Sequence, residues 1–256
     1  MVAILGGGLV VMAVVMVLLW FVQRRTANAG IVDVGWSLGV GVVAVACTVA
    51  GSGDPMRRLL AGVLVGGWSL RLGLYILRRV LAEEEDGRYR RLRQQWGAGF
   101  QRRAFVFFQL QALFAVAFAV PVAVVASNAR PVSAAEAMVA VGLWLVAIGG
   151  EALADRQLAA FRGQPANRGR TCRQGLWRYS RHPNYFFEWL HWWTYVLLAA
   201  GAPLWWLSLL GPLAMLVFLL AVTGVPATEA QAAASRPDYR DYQRTTSAFI
   251  PWPPKR

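Results

Sequence analysis

Hydrophobic positions in this chain come in long unbroken runs instead of alternating with polar ones. Residues 1–23 hold no side chain with a formal charge, and neither do 34–53, 104–129 or 189–228. A helix that is apolar all round needs apolar surroundings on every side. About 20 such residues span the hydrocarbon of a bilayer, where a helix satisfies its own backbone and an open segment does not. The run 189–228 is long enough for two passes, with Gly201, Ala202 and Pro203 placed where a turn would divide them. The pattern predicts spans at about 3–23, 31–51, 58–80, 104–127, 134–158, 184–201 and 204–222. Beyond 226 the chain becomes Ala-rich, then polar, and closes on Pro251-Trp252-Pro253-Pro254; short cytoplasmic helices are expected at about 226–235 and near 237–245. The expected fold is all-α: a polytopic membrane protein of about seven transmembrane helices plus a short cytoplasmic C-terminal helix, folded as one integral-membrane domain over 1–256.

Composition strengthens this reading. The hydrophobic fraction is 57%, about 67% once the 25 glycines are added, against roughly 45–50% for soluble domains on that second measure. Mean hydropathy is +0.44. Disordered, collagen-like and coiled-coil chains are excluded. Two cysteines, Cys47 and Cys172, make no disulfide scaffold, and no spacing suggests a metal site.

A net charge of +13, from 25 arginines and one lysine against 13 acids, invites a nucleic-acid reading. The distribution argues for a membrane instead. With seven spans and the N-terminus outside, 22 of the 26 basic residues fall on one face: Arg24, Arg25, those of 78–103 and 156–183, and those of the tail from 236. The other four are Arg57, Arg58, Arg71 and Arg130. The positive-inside rule makes the crowded face cytoplasmic, in the inner membrane of a bacterium. Positive charges follow the first apolar run instead of preceding it, so that run is expected to stay as a helix although Ala27-Asn28-Ala29 imitates a cleavage site.

Ionisable groups inside apolar runs are costly and often functional. Asp33 opens the second span. Arg71 and Tyr75 share a helix face in the third, Glu151 and Asp155 in the fifth, Asn184 and Glu188 in the sixth. Each pair alone is as well explained as a structural tie between helices; together, beside a basic loop, they suggest one site. The loop is the most informative stretch: Arg173, Arg178, Tyr179, Arg181 and His182 precede Pro183, which suits the first turn of a helix. A helix start among arginines suits a phosphate or another anion. Topology and anionic lipid explain the arginines by themselves, but not Tyr179, His182, Asn184 and Glu188. The acidic run Glu83–Asp86 beside Arg88, Arg90, Arg91 and Arg93 reads as a solvated helix with weak ion pairs.

These residues give the chain a resemblance to bacterial membrane proteins of the steroid 5α-reductase-like superfamily, and more narrowly to a widespread group of unknown function within it. The motifs are Ile-Val-Asp-Val-Gly-Trp at 31–36, Arg71 to Tyr75, Phe107 to Ala112, Gly150 to Leu158, Gly175 to Tyr185, and Asp241-Tyr-Gln-Arg with Phe249-Ile-Pro251. The resemblance covers nearly the whole chain. It implies NADPH held near the cytoplasmic face by Asp155, Arg162, Asn184 and Glu188, with Glu151 in place of an asparagine of the animal enzymes. The implied cofactor set also takes in Arg168, Arg170, Arg178, Tyr179, Arg181, His182, Tyr185, Glu229 and Tyr242. Hydride would pass to the β-carbon of a conjugated enone in a lipophilic, steroid-like substrate. Tyr75, paired with Asp33 and accompanied by Arg71, would stabilise the charge developing on the carbonyl oxygen. No Gly-x-Gly-x-x-Gly fingerprint is present, so the nicotinamide reading rests on the resemblance.

Two other functions fit part of the pattern. Membrane methyltransferases using S-adenosylmethionine share the Arg-His-Pro-x-Tyr region and an acid matching Glu229. They commonly carry a small residue where Phe187 stands, and a second acid where Ala230 follows. A non-enzymatic lipid-binding protein would need every polar pair to be structural. The expected partners are membrane lipids and a small lipophilic substrate, with no nucleic acid.

Overall fold

The computed structural model of the protein describes residues 1–222 and 224–255. Ten α-helices follow one another: α1 (Val2–Thr26), α2 (Ile31–Ala50), α3 (Pro55–Ala82), α4 (Gly87–Trp96), α5 (Phe100–Ser127), α6 (Ala134–Arg162), α7 (Pro183–Ala199), α8 (Leu210–Val217), α9 (Val225–Ser235) and α10 (Tyr239–Thr245). Among the described residues there is no strand, only an isolated parallel bridge between Ser180 and Ser247. Among the described residues, six stretches are long and apolar enough to cross a membrane: Val2–Thr26, Ile31–Ala50, Pro55–Ala82, Gly87–Ser127, Ala134–Arg162 and Trp205–Ser235. The segment expected to cross at 184–201 forms α7, which has 17 residues and is not one of the six. The segment expected at 204–222 is not one smooth α-helix. A 3₁₀ turn (Trp205–Leu209) leads into α8, and a π turn (Phe218–Val222) follows it. The π turn accompanies the reach of the Gly224 amide back to Phe218 O at 3.2 Å.

The chain divides into two compact units, Met1–Met138 with Tyr195–Gly211, and Val139–Thr194 with Pro212–Arg256. In the first, α2 is the central helix, and its glycines set how closely neighbours approach. A Cβ on Gly39 would lie 2.2 Å from Met12 Cε of α1, and one on Gly41 would lie 2.1 Å from Ser69 Oγ of α3. On the other side, a Cβ on Gly73 of α3 would lie 2.4 Å from a Leu38 methyl. Close approach through small residues is how helices associate where no hydrophobic force separates protein from solvent. Ser69 uses that proximity to donate to Ser37 O at 2.8 Å.

One end of this unit is held by Arg57. Asp54 caps α3 by accepting from the Arg57 amide at 2.9 Å, with Pro55 in the first turn. The fully buried Arg57 side chain donates to Arg130 O (2.6 Å), Leu198 O (2.7 Å) and the Glu136 carboxylate (3.2 Å). At the other end α4 is docked by ion pairs. Arg79 meets Asp86 at 2.6 Å and Arg93 meets Glu85 at 2.8 Å, while Glu85 also accepts from the Ala29 amide at 2.8 Å.

The second unit is built on α6. The 3₁₀ turn Gly175–Arg178 sits against it through the Leu176 amide on Gln157 Oε1 (2.9 Å) and Trp177 Nε1 on Ala154 O (2.9 Å). The C-terminal segment closes over that turn: the Arg181 amide donates to Ser247 O (2.8 Å), Ser180 Oγ to Phe249 O (2.8 Å) and the Trp252 amide to Tyr179 O (2.9 Å).

Candidate functional site

The polar pairs expected on α6 and α7 lie inside the second unit. Glu151 and Asp155 are both buried on α6, and Glu188 is buried one turn beyond the half-buried Asn184. The two helices meet through them: Asn184 Nδ2 donates to Asp155 Oδ1 at 3.2 Å. Trp192 Nε1 lies 3.4 Å from Glu188 Oε1, so an indole completes the polar stripe of α7. Helix α7 begins at Pro183, as the loop sequence suggests, and Ser180 Oγ takes the His182 amide at 3.1 Å.

A second cluster joins the start of α7 to α9 and α10. The Glu229 carboxylate accepts from Arg181 Nε at 2.6 Å and from Gln243 Nε2 at 2.7 Å, and His182 Nε2 lies 3.2 Å from it. Arg181 also donates to Gln243 O (2.9 Å) and Thr246 O (2.6 Å). His182 stacks on Tyr185 at 5.2 Å between centroids, and the Tyr185 hydroxyl reaches Thr228 Oγ1 at 3.2 Å. Five residues of the implied cofactor set, Arg181, His182, Tyr185, Glu229 and Tyr242, therefore have partners within the protein. Arg181 and His182 are engaged by Glu229, and the Tyr242 hydroxyl is turned to the carbonyls of Trp177 and Ser180. Burial, then Tyr239 and Cys172, push the Tyr242 phenol above its usual pKa, so it stays neutral in this role. These side chains anchor the C-terminal segment.

The remaining arginines behave differently. Arg162, Arg168, Arg170 and Arg178 are exposed, as is Tyr179. Arg168, Arg170 and Arg178 form no ion pair among the described residues, whereas Arg173, between them in sequence, is taken by Asp238: its guanidinium donates to Asp238 O at 2.6 Å. Asp238 also accepts from the Thr171 hydroxyl at 2.7 Å and the Thr171 amide at 3.1 Å. Arg178 ends the turn that is docked on α6 at Ala154 and Gln157, on either side of Asp155 in sequence. Charge without a partner thus sits on the turn that packs beside the Asp155–Asn184 pair.

Asp33, Arg71 and Tyr75 belong to the first unit. Asp33 lies in the first turn of α2, and Arg71 and Tyr75 are one turn apart on α3, with Tyr75 40% exposed. Asp33, the expected partner of Tyr75, is held by α4. Asp33 Oδ1 accepts from the Tyr89 hydroxyl at 2.7 Å, and Oδ2 from Arg88 at 3.1 Å. Tyr89 is buried on α4, and Arg88 also pairs with Asp86 at 3.1 Å. The reason is the docking of α4 by Glu85 and Arg93, which carries Tyr89 to the start of α2. Tyr89 had one sequence signal, as the single apolar-bodied side chain inside Arg88-Tyr89-Arg90-Arg91. Gln243 and Thr228, which complete the Glu229 and Tyr185 contacts, had none.

No group of three or more His, Cys, Asp and Glu side chains among the described residues is arranged to hold a metal ion. The chain matches, over residues 19–246, a family described as a protein of unknown function, DUF1295. It belongs to that family, and with its six apolar helices it has the character of an integral membrane protein. No curated protein matches the chain. No solved structure matches it.

Proposed function

We propose that the protein is a membrane oxidoreductase that binds NADPH through its second unit and reduces a conjugated carbon–carbon double bond in a lipophilic substrate. The observation that carries this reading is the exposed, unmatched charge of Arg178, on the turn that docks at Ala154 and Gln157 on either side of Asp155, with Arg168 and Arg170 exposed in the loop before it. Guanidinium groups with no internal carboxylate fit the phosphates of a dinucleotide. They have no such use for S-adenosylmethionine, which carries none. Arg168, Arg170 and Arg178 would take the phosphates; Asn184, Asp155 and Glu188 offer amide and carboxylate partners for the hydroxyl and amide groups of the nucleotide. When bound, the cofactor supplies a hydride. The protein supplies orientation and exclusion of water.

A further observation weighs against the methyltransferase. Phe187 lies on Gly150, where a Cβ would come within 2.5 Å of its ring. The bulky side chain thus occupies space that the methyltransferases leave to a small residue.

The test is thermal stabilisation of the detergent-purified protein by NADPH, NADH and S-adenosylmethionine. A ligand at a hundred times its dissociation constant adds about 2.7 kcal/mol to the folded state. NADPH should stabilise the wild type, and Asn184→Ala should lose that response while retaining its own fold. Stabilisation by S-adenosylmethionine alone overturns the reading.

A further inference from the structure

We propose that the first turns of α5, with the end of α4, form a binding site for one anionic phospholipid, independent of the nucleotide reading above. A groove there is lined by Trp96, Arg102, Arg103, Val106, Phe107 and Leu110, with Gly99 at its mouth. From Gly99 the spacing is three, four, seven, eight and eleven residues, which is one stripe of a helix. The stripe changes character along its length. Its first turn offers two guanidinium groups, and the next two offer apolar side chains, of which Val106 is 53% and Leu110 44% exposed.

That change falls where the charge-free run 104–129 begins, so the groove crosses from the headgroup level into the hydrocarbon. Trp96 stands at the polar end, where indoles favour the membrane interface. Arg102 and Arg103 form no ion pair among the described residues, although the neighbouring Arg88, Arg90 and Arg93 are each matched by an acid. Arg93 is further fixed over the Phe100 ring at 4.1 Å. The two free charges are therefore not part of the network that docks α4. A phosphate-bearing headgroup satisfies both guanidinium groups, and one acyl chain covers Val106, Phe107 and Leu110. A free phosphate would satisfy only the polar half.

Phosphatidylglycerol and phosphatidylcholine of the same acyl chains, titrated into the purified full chain, test this by thermal shift and by lipid retention in native mass spectrometry. Phosphatidylglycerol should bind the wild type about tenfold or more tightly than R102Q/R103Q. The double variant R25Q/R240Q, which removes the same charge from exposed positions elsewhere, should bind like the wild type. Leu110→Ser should weaken the lipid without changing any response to inorganic phosphate. Equal phosphatidylglycerol binding by R102Q/R103Q and wild type overturns the site. So does an equal loss in R25Q/R240Q, which would make the effect one of net charge, or inorganic phosphate reproducing the lipid's shift. R102Q/R103Q should keep the wild-type melting temperature in detergent alone, which separates lost binding from lost folding.

Discussion

Arg57 takes a full positive charge into the interior, where five acceptor atoms surround it: three backbone carbonyls and both oxygens of Glu136. Emptying the position opens a large cavity and leaves three carbonyls without their donor, a loss of about 3–5 kcal/mol, whereas Glu136 is only partly buried and keeps Arg130 at 3.0 Å. Arg57→Ala should lose that much in chemical denaturation from mixed micelles, and Glu136→Gln less, because the carbonyls remain. Two tyrosines can be separated in the same way. Tyr89→Phe removes a hydrogen bond to the Asp33 carboxylate and should cost about 1.5–3 kcal/mol, with the NADPH shift intact. Tyr75→Phe should leave stability alone and lower turnover, read as NADPH oxidation across a panel of enones; unchanged turnover removes Tyr75 from the chemistry. The Asp238 carboxyl gives a pH dependence. Burial pushes it up, but the Thr171 hydroxyl and amide, with Arg173 nearby, outweigh burial and hold it below its usual value. The folded state therefore favours the ionised form. Its contribution is complete above the unfolded value of about 3.9 and fades as pH falls through the lower folded value. The difference in melting temperature between wild type and Asp238→Asn should be constant above about pH 5 and shrink below about pH 4.

Elements differ in how far the sequence announces them. The apolar runs and the Arg24–Arg25 stop mark α1 and α2, because membrane burial is a property of a whole segment and survives any packing. The short helices depend on contacts that no periodicity records. α4 is where it is because Glu85 takes the Ala29 amide and Arg93 reaches Ala27 O at 3.1 Å. Tyr89 therefore reaches Asp33, a contact that the motif around Asp33 and Tyr75 does not announce. The same limit applies to Arg181: its place beside His182 suggests a phosphate ligand, and no local pattern announces its hydrogen bond to Glu229, 48 residues away in sequence. Glycine positions also divide by what they face. A Cβ on Gly53 would meet Asn128 O at 2.6 Å and Ala126 O at 2.8 Å, both backbone and unable to yield. The one on Gly39 meets the end of Met12, a flexible side chain. Gly53→Ala should therefore cost about 1–3 kcal/mol and loosen the loop that the Gly53 amide ties to Ala126 O. Gly39→Ala should cost less than about 1 kcal/mol, and equal losses at the two positions would contradict this account.

At the scale of the whole molecule, charge and helix length give different counts, and the side of the membrane on which the tail lies decides between them. Six stretches meet the length of a span, and an even number would return the C-terminus to the side of the N-terminus. The arginine and lysine residues of the tail from 236 would then share a side with Arg57, Arg58 and Arg130, away from the other basic segments. That arrangement works against the positive-inside rule, which acts most strongly on short loops close to span ends. Helix α7 is the segment on which the two counts differ. Its 17 residues rise about 25 Å at 1.5 Å each, near the shortest length that crosses a hydrocarbon core of about 30 Å. Its first two turns carry Asn184 and Glu188, satisfied by Asp155 and Trp192, so its polar end does not require water. Counting α7 as a span puts the basic tail with the basic loops and the two termini on opposite sides. A C-terminal green fluorescent protein should fluoresce in a bacterial host, and an alkaline phosphatase fused at the same point should be inactive. A cysteine placed near the N-terminus should react with an impermeant maleimide in intact cells. Active phosphatase at the C-terminus would return α7 to a re-entrant or interfacial position and leave six spans.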